Sequence, residues 1–327
     1  MELFSYLRAT DISQATNAAG NQDARFIAGG TTLLDLMKLD VERPTQLIDV
    51  NRIGLDTIEK LPSGGLRIGA LVRNSDLAHH PIVQSEYSVL SQALLAGASA
   101  QLRNMATTGG NLLQRTRCMY FRNTAMPCNK RTPGAGCSAI EGDNRSMAIL
   151  GTSKDCIATN PSDMNVALTA LEAVISIEGS RGKRDISIAD FYLLPGSTPH
   201  IETVLAPGDL VTYVTLPTPR SKSKQIYLKL RDRASFEFAL ASAAIVAEVS
   251  GGKLTYIRVA IGGVGTRPWR SHEAEDALIH RSTDTATFQR AAETALRDAH
   301  PQSENAFKVE LAKLCLTHAL TLATRTA

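Results

Sequence analysis

Phe26-Ile27-Ala28-Gly29-Gly30-Thr31-Thr32-Leu33-Leu34 decides the fold. Arg25-Phe26-Ile27 has the apolar, β-branched character of a strand, and Thr31 to Met37 opens a helix with a threonine cap and Asp35 in its first turn. Two glycines between a strand and a helix let main-chain amides converge on an anion, and the helix start adds positive potential. A phosphate fits such a turn. A plain strand–helix connection explains the same residues, and neither G-x-G-x-x-G nor a G-x-x-x-x-G-K-[ST] loop is present.

Outward from this turn, Gln46–Val50 and Leu66–Val72 read as further strands, and a long helical pattern runs from Ser75 to about Ala100. Helical patterning returns after Pro161-Ser162-Asp163, followed by a strand at Ala173–Ile177. Pro217 to Lys224 reads as a linker. Beyond it, Ile226–Leu230 and Leu254–Ile261 read as strands and the remainder as mostly helix. These elements predict an α+β chain whose cofactor region gives way to a second domain after about residue 222. At 327 residues the chain exceeds a single core.

Composition excludes several classes. With 43% hydrophobic and 20% charged residues the chain reads as soluble and globular. A net charge of +3 is too small to point to nucleic acid. No run of about 20 apolar residues exists to span a membrane. Met1 to Ser5 has no basic and apolar leader, so the expected compartment is the cytoplasm, or the periplasm if the chain is exported bound to a signal-bearing partner. Neither H-E-x-x-H nor a Ser–His–Asp set points to independent hydrolytic chemistry.

Two further segments offer small residues and polar groups. Thr107-Thr108-Gly109-Gly110-Asn111 permits close backbone approach. Asn160-Pro161-Ser162-Asp163 supplies a carboxylate, read either as a ligand to ribose hydroxyls or flavin N–H groups or as a helix cap.

Four of five cysteines are spaced C-x9-C-x8-C-x18-C, at Cys118, Cys128, Cys137 and Cys156, within a Gly-, Pro- and Arg-rich stretch from Arg115 to Asp155. A loop of this length in a compact domain is functional or disordered. With no C-x2-C pair, the spacing matches neither a zinc ribbon nor the common ferredoxin run. No histidine intervenes, so four thiolates suit Zn²⁺ and an iron–sulfur cluster equally, with disulfides or buried thiols as the plain alternatives. Cys315 lies in a helical pattern and reads as a small apolar side chain. Tyr87 to Ile140 contains no acid but holds Arg103, Arg115, Arg117, Arg122, Lys130 and Arg131. That stretch reads as a solvated basic loop, or as positive charge that raises a cluster's potential and docks an acidic partner.

Taken in order, Ala-Gly-Gly-Thr-x-Leu, Thr-x-Gly-Gly-Asn-Leu, Pro-Ser-Asp and Gly262-Gly263-Val264-Gly265-Thr266-Arg267-Pro268 resemble the FAD-binding subunit of xanthine dehydrogenase-type molybdenum hydroxylases over essentially the whole chain. The cysteine-bearing insertion, at about 115–156, resembles the flavin subunits of bacterial periplasmic aldehyde oxidoreductases, and less closely those of 4-hydroxybenzoyl-CoA reductases. The resemblance implies a two-subdomain FAD-binding domain of the vanillyl-alcohol oxidase (PCMH) type over 1–222, and a CO-dehydrogenase-flavoprotein C-terminal domain over 223–327. It implies FAD held by Phe26, Ile27, Ala28, Gly29, Gly30, Thr31, Thr32, Leu33 and Leu34 at the pyrophosphate. Thr107, Thr108, Gly109, Gly110 and Asn111 would cover phosphates and ribitol, Asp163 would meet polar groups, and Lys229 would lie by the isoalloxazine. It further implies a [4Fe–4S] cluster on Cys118, Cys128, Cys137 and Cys156. The implied role is electron transfer, with a molybdenum-cofactor large subunit and a [2Fe–2S] small subunit as partners and an external electron acceptor. A self-sufficient flavin oxidoreductase and a zinc-stabilised scaffold are the rival readings.

Overall fold

The computed structural model describes residues 1–20 and 23–325. Three sheets organise them. The first is parallel, with β1 (Ser5–Arg8), β2 (Ala24–Ile27) and β3 (Gln46–Asp49) in the order β1-β3-β2. Its core gathers Ala15, Ile48, Val50 and Leu55. The second is antiparallel, in the order β4-β5-β8-β6-β7, from β4 (Ile58–Lys60), β5 (Leu66–Gly69), β6 (Val174–Gly179), β7 (Gly182–Ser187) and β8 (Leu210–Leu216). The third, also antiparallel, runs β12-β11-β10-β9, from β9 (Lys224–Leu230), β10 (Ala241–Ser250), β11 (Lys253–Gly262) and β12 (Trp269–Arg270). The architecture is the α+β arrangement the sequence predicts.

Two elements depart from the sequence reading, each for a physical reason. The Ser75–Ala100 pattern is three helices, Asn74–His79, Pro81–Glu86 and Ser88–Ala96. Pro81 has no N–H to donate and holds His80 extended, with ψ 129°, so the chain restarts there. The Ala-rich stretch Ala241–Ser250, which falls within the remainder expected to be mostly helix, is instead a central strand of the third sheet. Strand side chains alternate faces. On one face of β10, Ala244 and Val246 pack with Leu90, Ala93 and Val166; on the other, Ala243, Ile245 and Ala247 pack with Phe288, Leu316 and Leu320. Both faces are buried, so the polar alternation that betrays a strand is missing.

The packing of Ala244 and Val246 also seats the third sheet on the helices Ser88–Ala96 and Asp163–Ala170. Gln225 and Gln92 fix its edge through Gln225 Nε2 to Glu86 O (2.9 Å) and Tyr227 N to Gln92 Oε1 (2.8 Å).

Candidate functional site

A cleft of about 680 Å³ opens between the first two sheets, a volume usual for cofactor sites. One wall is the turn after β2. Gly30 has φ +71°, a conformation that favours glycine. Gly29 has a stricter role, since a Cβ there would lie 1.9 Å from the carbonyl oxygen of Met105. The glycine turn therefore meets, backbone to backbone, the chain that leads into Thr107. Arg73 reinforces the junction, donating to Met105 O (2.5 Å) and Asn51 Oδ1 (3.1 Å), and Asn51 donates to Ala28 O (3.0 Å). The helix after the turn begins at Leu33, not Thr31, and Thr32 makes no side-chain cap. Backbone bonds from Leu34 N to Gly30 O and Leu36 N to Thr32 O, both 3.0 Å, open it instead.

The second wall is the short helix Thr108–Leu112, capped by Thr107 Oγ1, which accepts from Gly110 N at 3.2 Å. A Cβ at Gly110 would meet only that oxygen, at 3.0 Å, so the fold leaves room that a ligand can use. Phe26 to Leu33, Thr107, Gly109 and Gly110 line the cleft. Leu34, Thr108 and Asn111 are not among its lining residues. Thr108 turns its hydroxyl to Val72 O (3.1 Å), and Asn111 Oδ1 accepts from Ser162 Oγ at 2.8 Å.

Asp163 and Lys229, far apart in sequence, form a buried ion pair: Lys229 Nζ donates to Asp163 Oδ2 at 2.8 Å and to Ala96 O at 3.1 Å. Tyr227 donates to the other carboxylate oxygen at 2.5 Å, and burial together with that carboxylate raises the phenol well above its ordinary range. Neither member of the pair lines the cleft. The helix cap is Ser162, accepting from Asn165 N. Sequence reading missed the third wall, the Pro- and Gly-rich segment from Tyr192 to Val211, together with Arg115 and Lys130. The clustered prolines and glycines from Pro195 to Gly208 were its only local signal.

The four cysteines line one small pocket beside the cleft. Cys118 precedes the short helix Met119–Arg122, Cys128 and Cys137 face each other in an antiparallel bridge, and Cys156 sits opposite Ser153. Cys137 is half-buried and the others are buried. Burial pushes the Cys118 thiol up to about 11 and raises that of Cys156. The loop has its own apolar cluster with Leu36, Phe121, Ala139, Met147 and Ile157. Among the described residues, no three His, Cys, Asp or Glu side chains converge tightly enough to hold a single metal ion.

The basic stretch is not a solvated patch. Arg117 and Arg122 meet Asp35, at 3.2 and 2.7 Å; Arg115 meets Glu42 and Glu202; Lys130 meets Glu202 at 2.9 Å. Arg131 donates to the carbonyls of Tyr120, Phe121 and Met126.

A glycine-walled cleft thus lies between a small parallel sheet and an antiparallel sheet, with a helical and antiparallel C-terminal unit packed behind. Residues 2–219 match the FAD binding domain in molybdopterin dehydrogenase, and residues 226–323 match the CO dehydrogenase flavoprotein C-terminal domain. The chain belongs to the FAD-binding medium subunits of the molybdenum hydroxylase family, and is an oxidoreductase subunit of the aldehyde oxidoreductase and xanthine dehydrogenase type. It is 55% identical over 322 residues to the aldehyde oxidoreductase FAD-binding subunit PaoB of Escherichia coli, covering 98% of each chain. It is 28% identical to the glyceraldehyde dehydrogenase medium chain of Sulfolobus acidocaldarius, over 92% of this chain and 90% of that one. A solved carbon monoxide dehydrogenase chain from Hydrogenophaga pseudoflava superposes with a TM-score of 0.78 at 26% identity, over 98% of this chain and 97% of that one. Among the described residues no helix is long and apolar enough to cross a membrane.

Proposed function

We propose that this chain is the electron-transfer subunit of an aldehyde oxidoreductase, holding FAD in the cleft and a [4Fe–4S] cluster on Cys118, Cys128, Cys137 and Cys156. Its partners in this reading are a molybdenum-cofactor large subunit and a [2Fe–2S] small subunit, with delivery to an external acceptor. The single observation carrying the cluster is that four thiols surround one pocket whose wall, at Lys130, Cys156 and Ala158, is also a wall of the cleft.

The donor set fits the group. A tetrahedral zinc site with bonds of ~2.3 Å holds its sulfurs ~3.8 Å apart. A four-iron cube places its own atoms between the thiolates and takes the same four-thiol set that lines the pocket here. When bound, the cluster supplies one-electron chemistry beside a flavin competent in one- and two-electron steps. The chain's residues bind and orient. In this reading the main-chain amides of Ala28 to Leu33 hold the pyrophosphate, and Thr107, Gly109 and Gly110 approach the phosphates and ribitol. Asp163, with Lys229, braces the helix behind Asn160 and Pro161, which line the cleft.

The test is the visible spectrum of the purified protein with iron and acid-labile sulfide analysis. Flavin bands with about four irons per chain are expected. Flavin bands without iron would remove the cluster, and zinc in place of iron would assign the cysteines to a structural site.

A further inference from the structure

Lys130 stands in the wall shared by the cleft and the cysteine pocket, two residues after Cys128. Its Nζ donates to Pro199 O at 3.0 Å and to Glu202 Oε1 at 2.9 Å, with the side chain only 10% exposed. The other oxygen of Glu202 is held by Arg115, whose guanidinium also bonds Glu42, and Glu42 meets Arg25 of β2 at 3.5 Å. Alternating charges thus run from the cysteine pocket, along the cleft wall, to the strand that leads into the glycine turn. Partly buried charges are poorly screened and act at a lower effective dielectric than surface ones. A thiolate-bound cluster becomes more negative on reduction, so a neighbouring cation favours its reduced form.

We propose that Lys130 is a redox-tuning residue of the cysteine site and that Glu202 sets how much of its charge that site feels. This rests on the cluster reading above. A purely structural tether predicts something else: a salt bridge is weak evidence for stability, and loosening the wall from either partner would disturb the site in the same sense. Electrostatic tuning predicts opposite signs. Lys130→Met removes a positive charge and lowers the cluster potential. Glu202→Gln keeps a hydrogen-bond acceptor for Lys130, removes a negative charge and raises it. Lys130→Arg leaves it near the unmodified value.

The experiment is an EPR-monitored redox titration of the purified enzyme complex carrying each variant, with iron and sulfide assayed in parallel. The expected change in the reduced-to-oxidised ratio at fixed potential is about three- to tenfold, downward for Lys130→Met and upward for Glu202→Gln, tenfold being about 59 mV for a one-electron couple. Full iron with an unmoved potential in both variants overturns the proposal, as does a shift of the same sign in both. If Lys130→Met fails to load iron, the upward shift of Glu202→Gln still decides the matter. Loss of iron from both variants, with the unmodified complex loaded, makes the pair structural and also overturns tuning. An unmodified complex without iron removes the cluster reading instead.

Discussion

In the cleft, the groups offered to a ligand are chiefly main-chain ones, exposed because Gly29, Gly30, Gly109 and Gly110 carry no side chain and held by the fold's own backbone contacts, such as Gly29 on Met105. In the neighbouring pocket they are side-chain thiols on a loop with short helices and single bridges, secured by a small apolar cluster and by ion pairs reaching Asp35 and Glu202. The cleft wall is thus set by sheet and helix packing, whereas the cysteine loop relies on long side-chain tethers. The two sites should therefore fail independently, which the following substitutions test.

The largest effect is expected at Gly110. A valine there meets little protein besides Thr107 Oγ1, so the chain should fold, yet its side chain takes space the cofactor needs. FAD content should fall at least about tenfold with circular dichroism unchanged. Full occupancy in a folded Gly110→Val protein would break the assignment of this wall. Gly29→Val is the contrasting case, since the Met105 carbonyl leaves no room for a Cβ and folding itself should suffer.

On the other side of the shared wall, Cys128→Ser should abolish the reduced-cluster EPR signal while most FAD remains. Cys315→Ala, buried in the helix Phe307–Thr324 among Leu228 and other apolar groups, should leave iron unchanged. Four irons and an unaltered signal in Cys128→Ser would end the all-cysteine model.

These contrasts also mark what a sequence can disclose. The glycine turn, Thr107-Thr108-Gly109-Gly110-Asn111 and the four cysteines are local signals, because each depends on residue type within a few positions. The central strand Ala241–Ser250 was hidden because alanine favours helix and because both its faces are buried. The pairing of the basic stretch with Asp35, Glu42 and Glu202 was hidden because partners up to 87 residues away leave no local trace. The same applies to Asp163 and Lys229: the sequence offers each as a polar residue for the cofactor, but their mutual bond, away from the cleft lining, leaves no local trace.

That ion pair supplies the next prediction. Lys229→Met leaves Asp163 buried without its cation, a change that costs about 3–5 kcal/mol. Unfolding in denaturant should shift accordingly. Asp163→Asn combined with Lys229→Met should recover part of the loss, because no uncompensated charge then remains. Additive losses in the double variant would mean the two side chains act separately.

The smallest effect tests how the cysteine loop is anchored to the C-terminal helix. Lys308 is fully buried, and its Nζ donates to Ser146 O (3.1 Å), Met147 O (2.8 Å) and Gly263 O (2.6 Å), fastening the outgoing limb of the loop to the third sheet. No carboxylate neutralises it among the described contacts, and burial pulls its pKa from 10.5 down to about 7. Between those values the unfolded chain binds a proton that the native chain has released, so the unfolding free energy rises with pH across that window. Below about 7 both states are protonated and the full burial penalty is present. The protein should therefore gain about 2 kcal/mol between pH 7 and 9 that Lys308→Met does not gain, measured by denaturant titration at each pH. Parallel pH slopes in the two proteins would show that the three carbonyls keep Lys308 charged throughout. The loop would then be held by a permanent buried cation, and the contrast with the main-chain-built cleft would be sharper still.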